Sequence, residues 1–234
     1  MTKPLDEEAK GLLRRIVESQ AYRQIMAMNI LGHCLKFVQD LDDKMRLTEE
    51  LGASQRIFRE VRTLYRQLGW KGLESAVRDR MERIPYPESR IEFSVCLHLC
   101  NLAERVAMQA YVDSTSGEFA AVARSYLELS SGLKVEGAAN VTEFCSEPGN
   151  RPRAQQFVNR WLAIALTSFG RPGSPGDARA VELGLRSRRS SEMIGSFLAE
   201  VRPFLAECGL TMPDAETLDL DLPPGLAGAG TARP

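Results

Sequence analysis

FSVCLHLCNLAERVAMQAYV, residues 93–112, is apolar on nearly every side when wound as a helix, and only Glu104 and Arg105 place charge in it. A helix without a polar face has to be enclosed by other elements. The flanking chain offers them at helical period. Upstream, Leu5 to Leu41 carries the stripe Leu13, Val17, Gln20, Gln24, Ala27, Leu31, Cys34, Val38 and Leu41, which predicts a long first helix with that side inward. A second helix is predicted from about Thr48 to the stop at Leu68-Gly69, and a short charged one over Lys71–Arg83. Pro85 and Pro87 then reset the chain before the apolar helix, which is predicted to start near Glu88.

Downstream, the turn Ser114–Gly117 precedes a helix predicted over Glu118–Phe144. The breaker CSEPGNRP leads into a fifth over Ala154–Phe169, and RPGSPGD into a sixth over Ala178–Cys208, with Ser190 or Ser191 as an internal cap or kink. No strand-period alternation and no hairpin signal interrupts this pattern. The expectation is an all-α chain, a four-helix bundle with additional C-terminal helices. One domain is expected over residues 1–212, with a flexible Gly/Pro/Ala-rich tail over 213–234.

Composition narrows the function classes. Lys and Arg total 30 against 31 Asp and Glu, a net charge of −1, which offers no field for nucleic acid or an anionic membrane. The N-terminal residues are too polar for a signal peptide and no apolar run is long enough to span a bilayer, so the expected compartment is the cytoplasm. The cysteines, Cys34, Cys96, Cys100, Cys145 and Cys208, sit scattered in apolar segments and read as reduced core thiols. No glycine-rich phosphate loop and no nucleophile motif is present, and no cofactor is assigned.

Several local patterns point one way. Asn159-Arg160-Trp161, Phe169-Gly170, SSEMIGSF (190–197) and Cys208-Gly209-Leu210-Thr211-Met212-Pro213-Asp214 stand in sequence at characteristic spacing. With Tyr22-Arg23-Gln24, Gly32-His33 and Leu68-Gly69 upstream, they make the chain resemble the phenylacetyl-CoA epoxygenase family over most of residues 20–218. The C-terminal third carries the distinctive part. The resemblance implies a ferritin-like fold, whose relatives hold two iron ions through inward carboxylates and a Glu-x-x-His pair on each of two helices.

Here the resemblance and the chemistry part company. Only two histidines occur, His33 and His98, and neither has a carboxylate three or four residues away. Aligned on Leu68-Gly69, the first Glu-x-x-His position holds Ser54 and Ile57; aligned on Gly137, the second holds Ser130 and Leu133. Neither isoleucine nor leucine ligates iron. Inward carboxylates remain at Glu18, Glu50, Glu104 and Glu128. They read either as a residual acid/base or metal site, with Glu104 and His33 as the candidate catalytic pair, or as buried ion pairs and solvated charge. Arg186, Arg188 and Arg189 read either as contacts to the phosphates of an acyl-CoA or as a solvated helix face, and Trp161 as a substrate contact or a packing residue.

The functional expectation is a non-canonical ferritin-like member of this family without a standard di-iron site, acting as subunit or partner in an oxygenation pathway. Its partners would be a second ferritin-like oxygenase subunit and a second copy of itself, with apolar surface on the Lys71–Arg83 helix and on the first helix serving the homodimer. The alternative is a divergent enzyme taking an acyl thioester into the bundle core.

Overall fold

The computed structural model describes residues 5–81, 85–132 and 137–218. Among the described residues all regular structure is helical: α1 (Glu7–Cys34), α2 (Leu41–Gln67), α3 (Leu73–Met81), α4 (Arg90–Gln109), α5 (Gly117–Gly132), α6 (Gly137–Ser146), α7 (Arg151–Thr167), α8 (Pro175–Glu182), α9 (Ser190–Glu207) and α10 (Ala215–Leu218). The class is all-α. Among the described residues no helix is long and apolar enough to cross a membrane.

Two compact units share the chain. The first comprises Met1–Pro87, Met108–Val135 and Arg179–Ser187; the second comprises Glu88–Ala107, Glu136–Ala178 and Arg188–Pro234. Each is therefore assembled from three separate stretches of sequence.

In the first unit α1 lies along α2. Asp6 caps α1 by accepting the Ala9 N–H at 2.8 Å, and Asp40 caps α2 by accepting that of Asp43 at 2.9 Å. That second cap moves the start of α2 upstream of Thr48 and turns Leu41 from an expected core residue into one 70% exposed. Apart from half-buried Ala27, the rest of the expected stripe is inward, with Leu13, Val17 and Cys34 fully enclosed. At its far end α2 stops in a left-handed glycine, Gly69 at φ 75°, where Trp70 N–H reaches Tyr65 C=O at 3.1 Å and Gly69 N–H reaches Arg66 C=O at 3.0 Å. The Trp70 and Tyr65 rings then meet edge-on at 5.3 Å, the apolar contact that accompanies this helix ending.

The core of this unit joins Leu13, Val17, Ile57, Val61, Tyr65, Met108, Phe119 and Tyr126. Leu73 and Val77 of α3 belong to it, 3% and 1% exposed. These two side chains of the short helix are thus spent on the core. Each such side chain taken from water contributes about 1.5–3 kcal/mol.

The second unit is organised on the first part of α4, whose Phe93, Val95, Cys96, Leu99 and Ala103 are all buried. α6 approaches α4 closely at Gly137, where an added Cβ would fall 2.8 Å from the Ser94 carbonyl oxygen. α7 contributes Val158, Trp161 and Leu162, and α9 contributes Met193, Phe197 and Val201. Ser190 is the first residue of α9, so the expected internal cap is a true helix start, separated from α8 by the left-handed Gly184. Of the helix expected over Glu118–Phe144, the described residues form α5 up to Gly132 and α6 from Gly137, and residues 133–136 lie outside the described ones. Of the expected tail, residues 213–218 are described and end in α10.

Candidate functional site

The first Glu-x-x-His position lies on α2. Ile57 is 1% exposed and belongs to the apolar cluster that includes Leu13, Val61 and Phe119, while Ser54 one turn earlier is half-buried. At the second position, Ser130 is half-buried on α5 and returns its hydroxyl proton to the Leu127 carbonyl at 3.1 Å. Leu133 lies outside the described residues. Among the described residues no group of three His, Cys, Asp or Glu side chains is arranged to hold a metal ion.

The inward carboxylates are placed differently from one another. Glu18 accepts from Arg14 Nε at 2.8 Å and from the Tyr65 hydroxyl at 2.7 Å. Burial, and then the Glu18 carboxylate beside it, hold the Tyr65 phenol above its ordinary pKa, so this hydroxyl is a donor rather than a base. Glu50 is buried and engaged, and Glu128 is exposed. Glu104 is buried on α4 and engaged as well, while Arg105 beside it pairs outward with Glu200 at 2.5 Å. His33, in the last turn of α1, is half-buried and faces Tyr86 with ring centroids 4.9 Å apart. Glu104 belongs to the second unit and His33 to the first.

The arginines are likewise divided. Arg186, buried and engaged, belongs to the first unit; Arg188 and Arg189 belong to the second. Arg188 is half-buried and donates to the Ser196 hydroxyl at 3.3 Å and the Val106 carbonyl at 3.2 Å. Arg189 precedes α9, its backbone N–H accepted by Glu192 at 2.6 Å. Trp161 is wholly buried and gives its indole proton to Glu92.

Glu92 and Asp177 are polar centres that sequence reasoning passed over. Glu92, 1% exposed, accepts at Oε1 from Trp161 Nε1 at 3.1 Å and Arg160 Nη1 at 2.9 Å, and at Oε2 from the Glu88 backbone N–H at 2.9 Å. The signal for it is Ser89-x-x-Glu92 ahead of an apolar run, since Ser89 also accepts from the Glu92 N–H at 3.3 Å. Asp177 accepts from the Ser190 N–H at 2.8 Å and the Gly173 N–H at 3.2 Å, while the Ser190 hydroxyl donates to the Phe169 carbonyl at 2.6 Å. Phe169-Gly170 and the SSEMIGSF run therefore interlock the end of α7 with the start of α9. Gln155 fastens Thr211 in the same manner, giving its amide proton to the Thr211 carbonyl at 3.0 Å and accepting the Thr211 N–H at 2.9 Å.

A concave surface in the first unit is a groove of about 580 Å³ along α2 and α5, lined by Glu49, Gly52, Ala53, Gln55, Arg56, Arg59 and Leu129. A shallower depression of about 440 Å³ continues it toward the start of α2, past Leu41, Lys44, Met45 and Thr48. Both are open to solvent; the groove is lined by polar and apolar surface alike, the depression mainly by apolar surface.

No protein-family model matches this chain, and none of the curated proteins matches it.

Proposed function

We propose that this protein is a ferritin-like member of the phenylacetyl-CoA epoxygenase family that lacks the standard di-iron site and works as a subunit of an oxygenation assembly. The reading rests on the sequence resemblance, and the observation that supports its metal-free form is Ile57. The side chain at the place of a ligating imidazole is 1% exposed and belongs to the apolar core cluster that also holds Leu13, Val61 and Phe119, a setting in which an unpaired cation is costly. The engagement of Glu18 supports it too, since Arg14 and the Tyr65 hydroxyl both donate to its Oε1, and that oxygen is thereby committed to donors of this chain.

The partners proposed are a second, metal-binding ferritin-like subunit and a second copy of this chain. Metal analysis of the full chain, grown with iron and manganese supplied, tests the site: trace metal is expected, and stoichiometric iron or manganese overturns the reading. Co-expression with a di-iron ferritin-like oxygenase subunit tests the role, with a stoichiometric complex through gel filtration as the expected result.

A further inference from the structure

We propose that the solvent face of α2 is a self-association surface on which a second copy of this chain docks its own α2, antiparallel, crossing at Gly52–Ala53. Leu41 and Met45, 70% and 58% exposed, are the largest apolar side chains that the described residues leave in solvent on any helix. They open a stripe that runs on through Glu49, Gly52, Arg56 and Arg59 at steps of three and four, which is one face of a helix. Gly52 stands mid-helix although an added Cβ would meet nothing within 4 Å in its own chain. The fold of one copy thus gives no reason for a residue that weakens helices, whereas the close approach of a second backbone does.

The charges on this face identify the occupant. Asp43 and Arg46 pair with each other within α2, but Glu49, Arg56 and Arg59 take part in no ion pair among the described residues. Glu49 and Arg56 are equidistant from the Gly52–Ala53 step, on opposite sides of it. An antiparallel second copy crossing there sets Glu49 of each chain level with Arg56 of the other, two equivalent ion pairs from one two-fold axis. Met45 then lies under the aliphatic stems of the arginines opposite. A parallel arrangement would oppose Glu49 to Glu49 and Arg56 to Arg56, so the pattern is complementary to itself in one direction only.

The inference deepens the homodimer of the proposed function and names its surface, and the experiment separates the two. Sedimentation velocity of the full chain over a range of concentrations is expected to show a dimer. Glu49→Arg or Arg56→Glu, each counted twice by symmetry, is expected to raise the dissociation constant by about tenfold or more. The double variant Glu49→Arg/Arg56→Glu is expected to restore it, with circular dichroism unchanged throughout. A dimer indifferent to the single reversals, or a double variant no better than either, overturns this surface while leaving a homodimer standing. A wild-type monomer overturns both, and so does one that dimerises only after residues 219–234 are removed or that forms only a one-to-one complex with another subunit, because the face then belongs to a different occupant.

Discussion

Trp161 of α7 and Glu92 of α4 are joined by a buried hydrogen bond of 3.1 Å, indole Nε1 to Oε1. Arg160 reaches the same oxygen at 2.9 Å, so two members of the Asn159-Arg160-Trp161 run close on one carboxylate at the first turn of α4. Their spacing follows from the helix: adjacent positions diverge by roughly a quarter turn, and only a carboxylate set beside the helix can take both. The run that gives the chain its resemblance is, in this molecule, an anchor for the start of its most enclosed helix.

Glu92→Ala is expected to destabilise the protein by about 2–3 kcal/mol, since it strands the buried Trp161 N–H and releases Arg160 and the Glu88 N–H to water. Trp161→Phe keeps the packing and loses one bond, and is expected to cost about 1–3 kcal/mol. Urea unfolding of both variants against the wild type measures the difference; equal stability of Glu92→Ala and wild type would refute the anchoring role.

His98 gives the fold a dependence on pH. Its Nε2 is buried with no hydrogen-bond partner among the described residues, its ring lies 4.2 Å from that of Phe204, and burial, then the nearby Arg105 charge, hold its pKa below the ordinary 6.5, with Glu200 opposing. The unfolded chain therefore binds the proton more readily than the folded one. The contribution is fully present above pH 6.5 and is lost as the pH falls below it toward the depressed folded value, with a slope of at most about 1.4 kcal/mol per pH unit. Thermal melts of wild type and His98→Phe from neutral to mildly acidic pH check this, with the slope expected to flatten in the variant.

Gly137→Ala sets two effects against each other. Alanine is favoured over glycine in a helix by about 1 kcal/mol. Against that, its methyl would lie 2.8 Å from the Ser94 carbonyl oxygen and 3.3 Å from the His98 nitrogen, both backbone atoms of α4. Backbone cannot swing aside as a side chain does, and overpacking of this kind costs about 1–3 kcal/mol. A net loss of stability is expected from denaturant titration, and a gain would show that α6 shifts freely on α4.

Ile57→Ala is expected to cost about 2–5 kcal/mol, the range for a large aliphatic residue removed from a close-packed core. Ile57→His is expected to cost at least as much, and added ferrous ion is expected to return none of it. Recovery of the melting temperature on adding iron would mean that the surroundings of residue 57 can still assemble a metal site.

Cys145 and Cys208 are both 1% exposed, and burial pushes the Cys145 thiol up to about 11. The thiolate is the reactive form, so neither is expected to react with an aromatic disulfide reagent in the native state, while half-buried Cys100 is expected to react first. Mass spectrometry of briefly labelled native protein, compared with the denatured chain, shows which thiols were modified.

The helices were legible wherever burial kept one side of the chain apolar, as in α1, where Leu13 to Cys34 repeat at helical spacing and all face inward except half-buried Ala27, although the helix ends at Cys34 rather than running on to Leu41. The start of α2 was not, because its first turns carry Asp42, Asp43, Lys44 and Arg46 around a Leu41 and a Met45 that point to solvent, so the inward period begins late at Leu47. The charge roles depended on distance along the chain. Ser89-x-x-Glu92 is readable as a helix start, but Arg160 and Trp161 reach Glu92 from 68 and 69 residues away, which no local pattern encodes. The run Arg186, Arg188 and Arg189 likewise does not disclose that Arg188 is spent on the Ser196 hydroxyl and the Val106 carbonyl, 8 and 82 residues away in sequence.

That interleaving has a consequence for the nascent chain. The first unit draws its last piece from Arg179–Ser187, although more than half of its residues have been made by Pro87. A ribosome extending beyond Pro87 thus carries an α1–α2–α3 layer whose Leu13, Val61 and Leu73 still await Leu185, and synthesis at about 5–20 residues per second leaves that apolar side open for several seconds. Chaperone occupancy during translation is expected to peak in this window and to fall once residue 187 has left the exit tunnel.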